Sequence, residues 1–276
     1  MTTDTPSGLS THDVALEADC RHVAPDETGY KARMRVHQSW YRRNVLRLPP
    51  GPNHHARGEV YGSMLRPDDG AAGANFINSK AHAFVEQRLA TDPKHITPDY
   101  IRNNLLASQA MCFNLFVPLA LDLNLATRLV SALPGMQQVA RVTGVRLEYA
   151  PPKEKVLNDE TSFDAWFEYE LHSGDRGFVA VETKLTEPFS QKKREFGYRY
   201  SRWRNQPQWW WSGHEETRFP DKRYNQLWRN HLLAFALLHQ PEQRYTECHC
   251  ALVSHPLDKG CRDCMNAYTE HLLPHG

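Results

Sequence analysis

The chain is predicted to fold as a mixed α/β (α+β) domain, and three observations predict it. Residues 138–149 and 162–187 alternate apolar and polar side chains with period two, as strands do. Residues 97–118 and 226–239 carry apolar side chains at helical spacing, with proline at or near their ends. The order is then helices, three strands in a meander, a helix, a fourth strand and a last helix, with no internal repeat.

Each element has its own signal. Residues 1–27 are polar, lack the apolar core of a signal peptide, and are expected to be a disordered tail. Residues 30–48 are basic and aromatic, with a short helix expected at 36–46, ended by Pro49-Pro50-Gly51-Pro52. Residues 62–74 read as a loop, and 75–89 as a helix through Phe76, Ile77, Phe84, Val85 and Leu89. Thr97 is a good N-cap with Pro98 at the first helical position, and the helix should run towards Pro118. A helix at 124–133 closes at Pro134-Gly135, and a strand follows at 138–149. His172-Ser173-Gly174-Asp175-Arg176-Gly177 supplies turn chemistry for a hairpin over 162–187. A helix at 226–239, a strand at 246–254 and a helix at 263–273 complete the chain. The expected organisation is a tail, then a single domain over 28–276 with a basic and aromatic insertion at about 188–224.

Composition narrows the function. A chain of 276 residues can bury a substantial core, and 40% of it is hydrophobic. The net charge is +1, so affinity for nucleic acid must come from local patches. The apolar run at 115–125 is broken by Pro118 and Asp122, so no membrane span or membrane partner is expected. Six cysteines without a signal peptide suggest a reduced, cytoplasmic protein.

The hairpin carries the chemistry. Its first strand reads Phe163-Asp164-Ala165-Trp166-Phe167-Glu168-Tyr169-Glu170, its second Gly177-Phe178-Val179-Ala180-Val181-Glu182-Thr183-Lys184. Antiparallel pairing through the turn brings Asp164 near Glu182 and Lys184. An isolated Asp followed by Glu-x-Lys at the end of an apolar strand can hold a divalent cation beside an ammonium, as in a metal-dependent phosphodiesterase. A solvated edge-strand face is the plainer alternative. Against it, Val179-Ala180-Val181 reads as a central strand, where a carboxylate and an ammonium are costly unless paired or metal-bound.

Several separated motifs occur in an order that resembles the PD-(D/E)XK nuclease superfamily, and more closely a bacterial restriction endonuclease-like family. They are the run from Leu105-Leu106-Ala107-Ser108-Gln109 to Asn114-Leu115-Phe116, then Ser162-Phe163-Asp164, Val181-Glu182-Thr183-Lys184-Leu185-Thr186-Glu187, and Tyr224-Asn225-Gln226-Leu227-Trp228-Arg229-Asn230. Phe163 stands where the superfamily's name has proline. The resemblance implies a restriction-endonuclease-like core, a four-stranded mixed sheet flanked by helices. It implies a DNA endonuclease with Asp164 and Glu182 as ligands of Mg²⁺, or of Mn²⁺ in its place. Lys184 would position or activate the attacking water and stabilise charge at phosphorus. Gln226 opens a helix resembling the one beside the site in that family, where it would bond the phosphate or a water, or else cap the helix. Glu168, on the face of Asp164, is a candidate for a second metal or a surface residue. Gln109 and Asn114 match family positions and can equally satisfy buried backbone.

Residues 192–229 concentrate cations and aromatics, with five of the seven tryptophans of the chain. Lys192, Lys193, Arg194, Arg202 and Arg204 can neutralise phosphates, and Trp209, Trp210 and Trp211 can stack on bases. The alternative is a loop packing its aromatics on the core. Cys248 and Cys250 with Cys261 and Cys264 form CxC and CxxC pairs. The spacing is not that of a standard zinc finger, and small core residues are preferred to a zinc site. The competing functions are a non-catalytic DNA-binding protein and a protein-interaction module using the tryptophan-rich segment. One active site per chain would favour a homodimer for cutting both strands.

Overall fold

A computed structural model of the chain describes residues 29–53, 59–158, 160–190, 198–204, 223, 225–240, 242 and 244–272. The expected tail at 1–27 lies outside them. Contacts gather the chain into two compact units, Met1–Asn114 with Leu185–Glu187, and Leu115–Lys184 with Pro188–Gly276.

The first unit is helical. Helix α1 (Gly29–Tyr41) begins earlier than its sequence suggested and runs into a π-helical turn, Arg42–Leu46. Two-residue strands β1 (Gly51–Pro52) and β2 (Val60–Tyr61) pair antiparallel. Short α2 (Pro67–Ala71) occupies the stretch read as loop, and α3 (Ser79–Thr91) starts at Asn78, whose side chain accepts the Ala81 amide at 2.9 Å. The helix expected from 97 towards Pro118 is two: α4 (Pro98–Asn103) and α5 (Ser108–Leu121). The break has a local cause. Asn104 is extended, forms a bridge with Met64, and its Oδ1 accepts the Leu106 amide at 2.9 Å. Pro118 sits inside α5 and does not end it. Residues Leu185–Glu187 join this unit: the Tyr30 hydroxyl donates to the Leu185 carbonyl at 2.9 Å, and Glu187 accepts the Tyr100 hydroxyl and the Ser108 amide.

The second unit carries the sheet. Helix α6 (Leu123–Ser131), capped by Asp122, precedes strands β3 (Val139–Tyr149), β4 (Phe163–Leu171) and β5 (Arg176–Lys184). Helices α7 (Tyr198–Arg204) and α8 (Asn225–Leu238) follow, then β6 (Tyr245–Ser254) and α9 (Lys259–Thr269). The last helix starts four residues before its expected position because the Asp258 carboxylate caps it on the Cys261 amide at 3.0 Å. The order is β3-β4-β5-β6, antiparallel except for the parallel β5–β6 pair, so the sheet is mixed.

Helices cover both sheet faces. On one, Phe116 of α5 meets the Phe167 ring edge-on at 5.5 Å, and α6 packs against β3. On the other, Phe163, Trp166, Phe178 and Ala180 pack with Leu227, Trp228 and Leu232 of α8 and Tyr268 of α9. Gly177 is required where it stands: a Cβ there would lie 2.5 Å from the Tyr169 ring on the neighbouring strand. Strand β5 is buried from Gly177 to Lys184, so its last polar residues end inside the fold. Among the described residues, no single helix is long and apolar enough to cross a membrane.

Candidate active site

The hairpin register places the acidic residues. Ala165 pairs with Val181, so one step outward Asp164 stands opposite Glu182, with both side chains on one sheet face. Lys184, two residues on, shares that face. Its Nζ lies 2.8 Å from Glu182 Oε1, and both side chains are buried. Helix α8 supplies two amides from one stripe, four residues apart. Gln226 Nε2 donates to Glu182 Oε1 at 2.6 Å, and Asn230 Nδ2 donates to Glu182 Oε2 at 2.7 Å. Gln226 is itself oriented by the Ser190 amide, which donates to its Oε1 at 2.8 Å. Asp164 Oδ2 accepts both the amide and the hydroxyl of Thr183, each at 2.6 Å. The Lys184 ammonium also lies 5.5 Å from the centre of the Phe189 ring.

Burial first and the nearby Asp164 charge second raise the Glu182 carboxyl, Lys184 and Asn230 work the other way, and the balance holds it at about 7. Glu182, raised by its neighbour Asp164, forms with it a donor set that a hard dication stabilises. Mg²⁺ keeps several waters, so two protein carboxylates are enough to anchor it. The residues present fit that ion.

Beside this cluster is a cavity of about 480 Å³, lined by Glu182, Asn230, Ala180, His231, Cys250 and Tyr268 among others. Burial lowers His231 to about 3, so its ring is neutral at physiological pH; its Nδ1 lies 2.7 Å from the Tyr268 hydroxyl. Cys250 is exposed and lines the cavity, so it is not the core residue its strand position suggested. Cys248 is half-buried, and burial pushes its thiol up to about 12 and that of Cys261 to about 11. Cys264 donates to the Arg223 carbonyl at 3.2 Å. Among the described residues, no three His, Cys, Asp or Glu side chains converge as metal ligands.

Other candidates separate. Glu168 is occupied by Arg176 and by Arg146, the latter at 3.8 Å, so its oxygens serve ion pairs. Gln109 bonds the backbone of His95 and Thr97, and Asn114 that of Asn75 and Ile77. Arg202 is exposed on α7 with its guanidinium 5.4 Å from the centre of the Trp203 ring, whereas Trp203 itself is core, edge-on to Phe235. Tyr200 likewise stacks on Trp228. Tyr200 and Trp203 of α7 therefore pack inward. Lys192, Lys193, Arg194, Trp209, Trp210, Trp211 and the Arg204 side chain lie outside the described residues. Asn230 and Thr183 escaped the sequence reading. The signal for Asn230 was a second amide four residues after Gln226 on an otherwise apolar helix.

The family model of the PD-(D/E)XK nuclease superfamily matches residues 25–275, nearly the whole chain. The chain belongs to the PD-(D/E)XK nuclease superfamily. Asp164 on β4 and Glu182-Thr183-Lys184 at the end of β5 have the residue types and the order of that name, and Phe163 precedes the Asp where the name has proline. The mixed four-stranded sheet flanked by helices is the restriction-endonuclease-like fold expected from the sequence. No curated protein and no solved structure matches the chain.

Proposed function

We propose that this member of the PD-(D/E)XK superfamily is a metal-dependent DNA endonuclease of restriction or defence type, hydrolysing phosphodiester bonds in the cytoplasm. The observation that carries the reading is the buried contact of Glu182 with Lys184 opposite Asp164. Hydrolysis joins a water oxygen to phosphorus and breaks one P–O ester bond. A proton leaves the water, and the departing oxygen gains one. Asp164 and Glu182 would hold Mg²⁺, or Mn²⁺ in its place. When bound, the ion neutralises phosphate charge and makes nearby water more acidic. Lys184 cannot ligate a hard cation, so its ammonium serves charge: it stabilises the oxyanion that grows on phosphorus. Gln226 and Asn230 are positioning residues that fix the plane of the Glu182 carboxylate, and Thr183 fixes one oxygen of Asp164. A homodimer would place two such sites on the two strands of a duplex.

The test is incubation of the purified protein with supercoiled, linear and single-stranded DNA, with Mg²⁺ or Mn²⁺ and then with excess EDTA. Cleavage that needs the ion supports the reading. A folded protein that cuts none of these substrates with either ion overturns it.

A further inference from the structure

The charge of the chain is unevenly placed. Residues 28–58 hold seven Lys and Arg and no Asp or Glu, although the whole chain is only +1, so the rest of it is net negative. Six of the seven lie on α1, on the π-helical turn that continues it, or at Arg47 just beyond.

Two of them serve the fold. Arg35 and Arg42 are buried and seven residues apart, so they share one face of the helix. Arg35 donates to the Ser63 hydroxyl at 3.1 Å and lies over the Tyr61 ring, and Arg42 donates to the carbonyls of Gly62 and Leu48. The helix is pinned through that face. The opposite face is exposed. Arg33, His37, Trp40 and Asn44 follow one another at steps of four, three and four and so form a single stripe. Arg33, His37 and Asn44 are exposed, Trp40 is half-buried, and the His37 ring stacks on Trp40 with centres 6.1 Å apart. Arg47 is exposed at the far end.

The two cations that end the stripe are costly to the helix that carries them. Arg33 lies near the N-terminal end, where no acidic residue offsets it in the first turn, so its charge opposes the helix dipole. Arg47 takes the left-handed C-cap conformation, φ 58°, with its N–H donating to the Arg42 carbonyl. Glycine takes that conformation without steric cost. Among the described residues neither arginine has an acidic partner. From Arg33 to Arg47 the stripe is about 20 Å long. Each strand of a DNA duplex carries a phosphate about every 3.4 Å of its axis, so a surface of this length meets several of them.

We propose that this exposed face of α1 is a duplex-binding surface, with Arg33 and Arg47 taking phosphates of the DNA backbone and the stacked His37 and Trp40 between them. The choice of DNA as the polyanion rests on the nuclease reading. Contacts of this kind set affinity and carry no sequence preference. The stripe holds none of Asp164, Glu182 and Lys184, so chemistry on bound DNA does not depend on it.

The experiment compares wild type with Arg33→Gln/Arg47→Gly and with Arg33→Glu/Arg47→Glu. Binding of a labelled DNA duplex is measured in EDTA across a salt series, and melting temperature is measured without DNA. The same proteins are titrated with phosphatidylserine vesicles. Duplex affinity should fall at least about tenfold in the Gln/Gly variant and further in the Glu/Glu variant, with a log–log salt slope shallower by about two, one for each lost phosphate contact. The Gln/Gly variant should melt no lower than wild type, since glycine suits position 47 and a cation leaves the N-terminal end. Its single-turnover cleavage in Mg²⁺ at saturating DNA should match wild type. Unchanged affinity and slope in both folded variants overturn the proposal, as does a wild type that binds no duplex. Loss of vesicle binding with duplex affinity intact overturns it by giving the stripe to an anionic membrane. A large drop in melting temperature in the Gln/Gly variant overturns it as well, because the arginines would then be structural. Wild-type cleavage separates the two readings. A wild type that cuts, with variants that bind normally, refutes the stripe alone; a wild type that binds through the stripe and cuts nothing refutes the nuclease reading alone.

Discussion

At the scale of single residues, the candidate site centres on one carboxylate with three donors. Glu182 is gripped by Lys184, Gln226 and Asn230, each acting on it differently. Asn230 stabilises the ionised form, so its loss should raise the Glu182 pKa further. Asn230→Ala is expected to cut about 10- to 100-fold more slowly, with the acid limb of its pH–rate profile moved to higher pH. An unmoved limb would show that Asn230 only fills space. Lys184→Ala should lose cleavage by about 10²- to 10³-fold. Calorimetric titration with Mn²⁺ should still find the ion bound, since no ligand has been removed. Loss of Mn²⁺ binding in a folded Lys184→Ala protein would instead make the lysine an organiser of the carboxylates. The approach of Asp164 to Glu182 and Lys184 was legible in the sequence because two alternating strands joined by the turn at 172–177 fix the antiparallel pairing. Asn230 carried only the signal of an amide four residues after Gln226, and its contact with Glu182, 48 residues away, appears only on folding.

At the scale of elements, strands were easier to read than helices. Period-two alternation and the turn at 172–177 delimited β4 and β5, whose observed bounds are Phe163–Leu171 and Arg176–Lys184. The helix expected across 97–118 failed at Asn104, since a side chain bonding its own local backbone leaves no mark in hydrophobic spacing. The early start of α9 was missed for the same kind of reason, a cap by Asp258. In α7, Tyr200 and Trp203 face the core. Trp203→Ala should destabilise the protein by about 3–5 kcal/mol in denaturant unfolding, as loss of a buried aromatic does. The triple change of Lys192, Lys193 and Arg194 to Ala should leave stability alone, weaken duplex binding and flatten its salt dependence. If the salt slope of that triple variant stays as in wild type, those three cations do not touch DNA, and a protein partner becomes the better reading of the segment.

At the scale of the whole molecule, the buried Glu182 couples stability to pH, and the proposed ion would couple to both. The folded Glu182 pKa, about 7, lies above the ordinary carboxylate value, so the folded protein binds a proton there more tightly than the unfolded chain. That contribution is fully present below about pH 4.3 and is lost as pH rises through about 7. In EDTA, wild type should therefore lose on the order of a few kcal/mol from this group across that window. Glu182→Gln should not, because it has no proton to release. Mg²⁺ should reverse the wild-type loss above pH 7 by supplying the counter-charge. The central claim is that this carboxylate makes the chain a nuclease, and the most direct measurement is the rate of plasmid cleavage in Mg²⁺ by wild type and by Glu182→Gln, with both melting temperatures recorded. The account predicts that wild type cuts, that EDTA stops it, and that Glu182→Gln is at least about 10³-fold slower while melting no lower than wild type at pH 8. Cutting at near wild-type rate by a folded Glu182→Gln protein would contradict it.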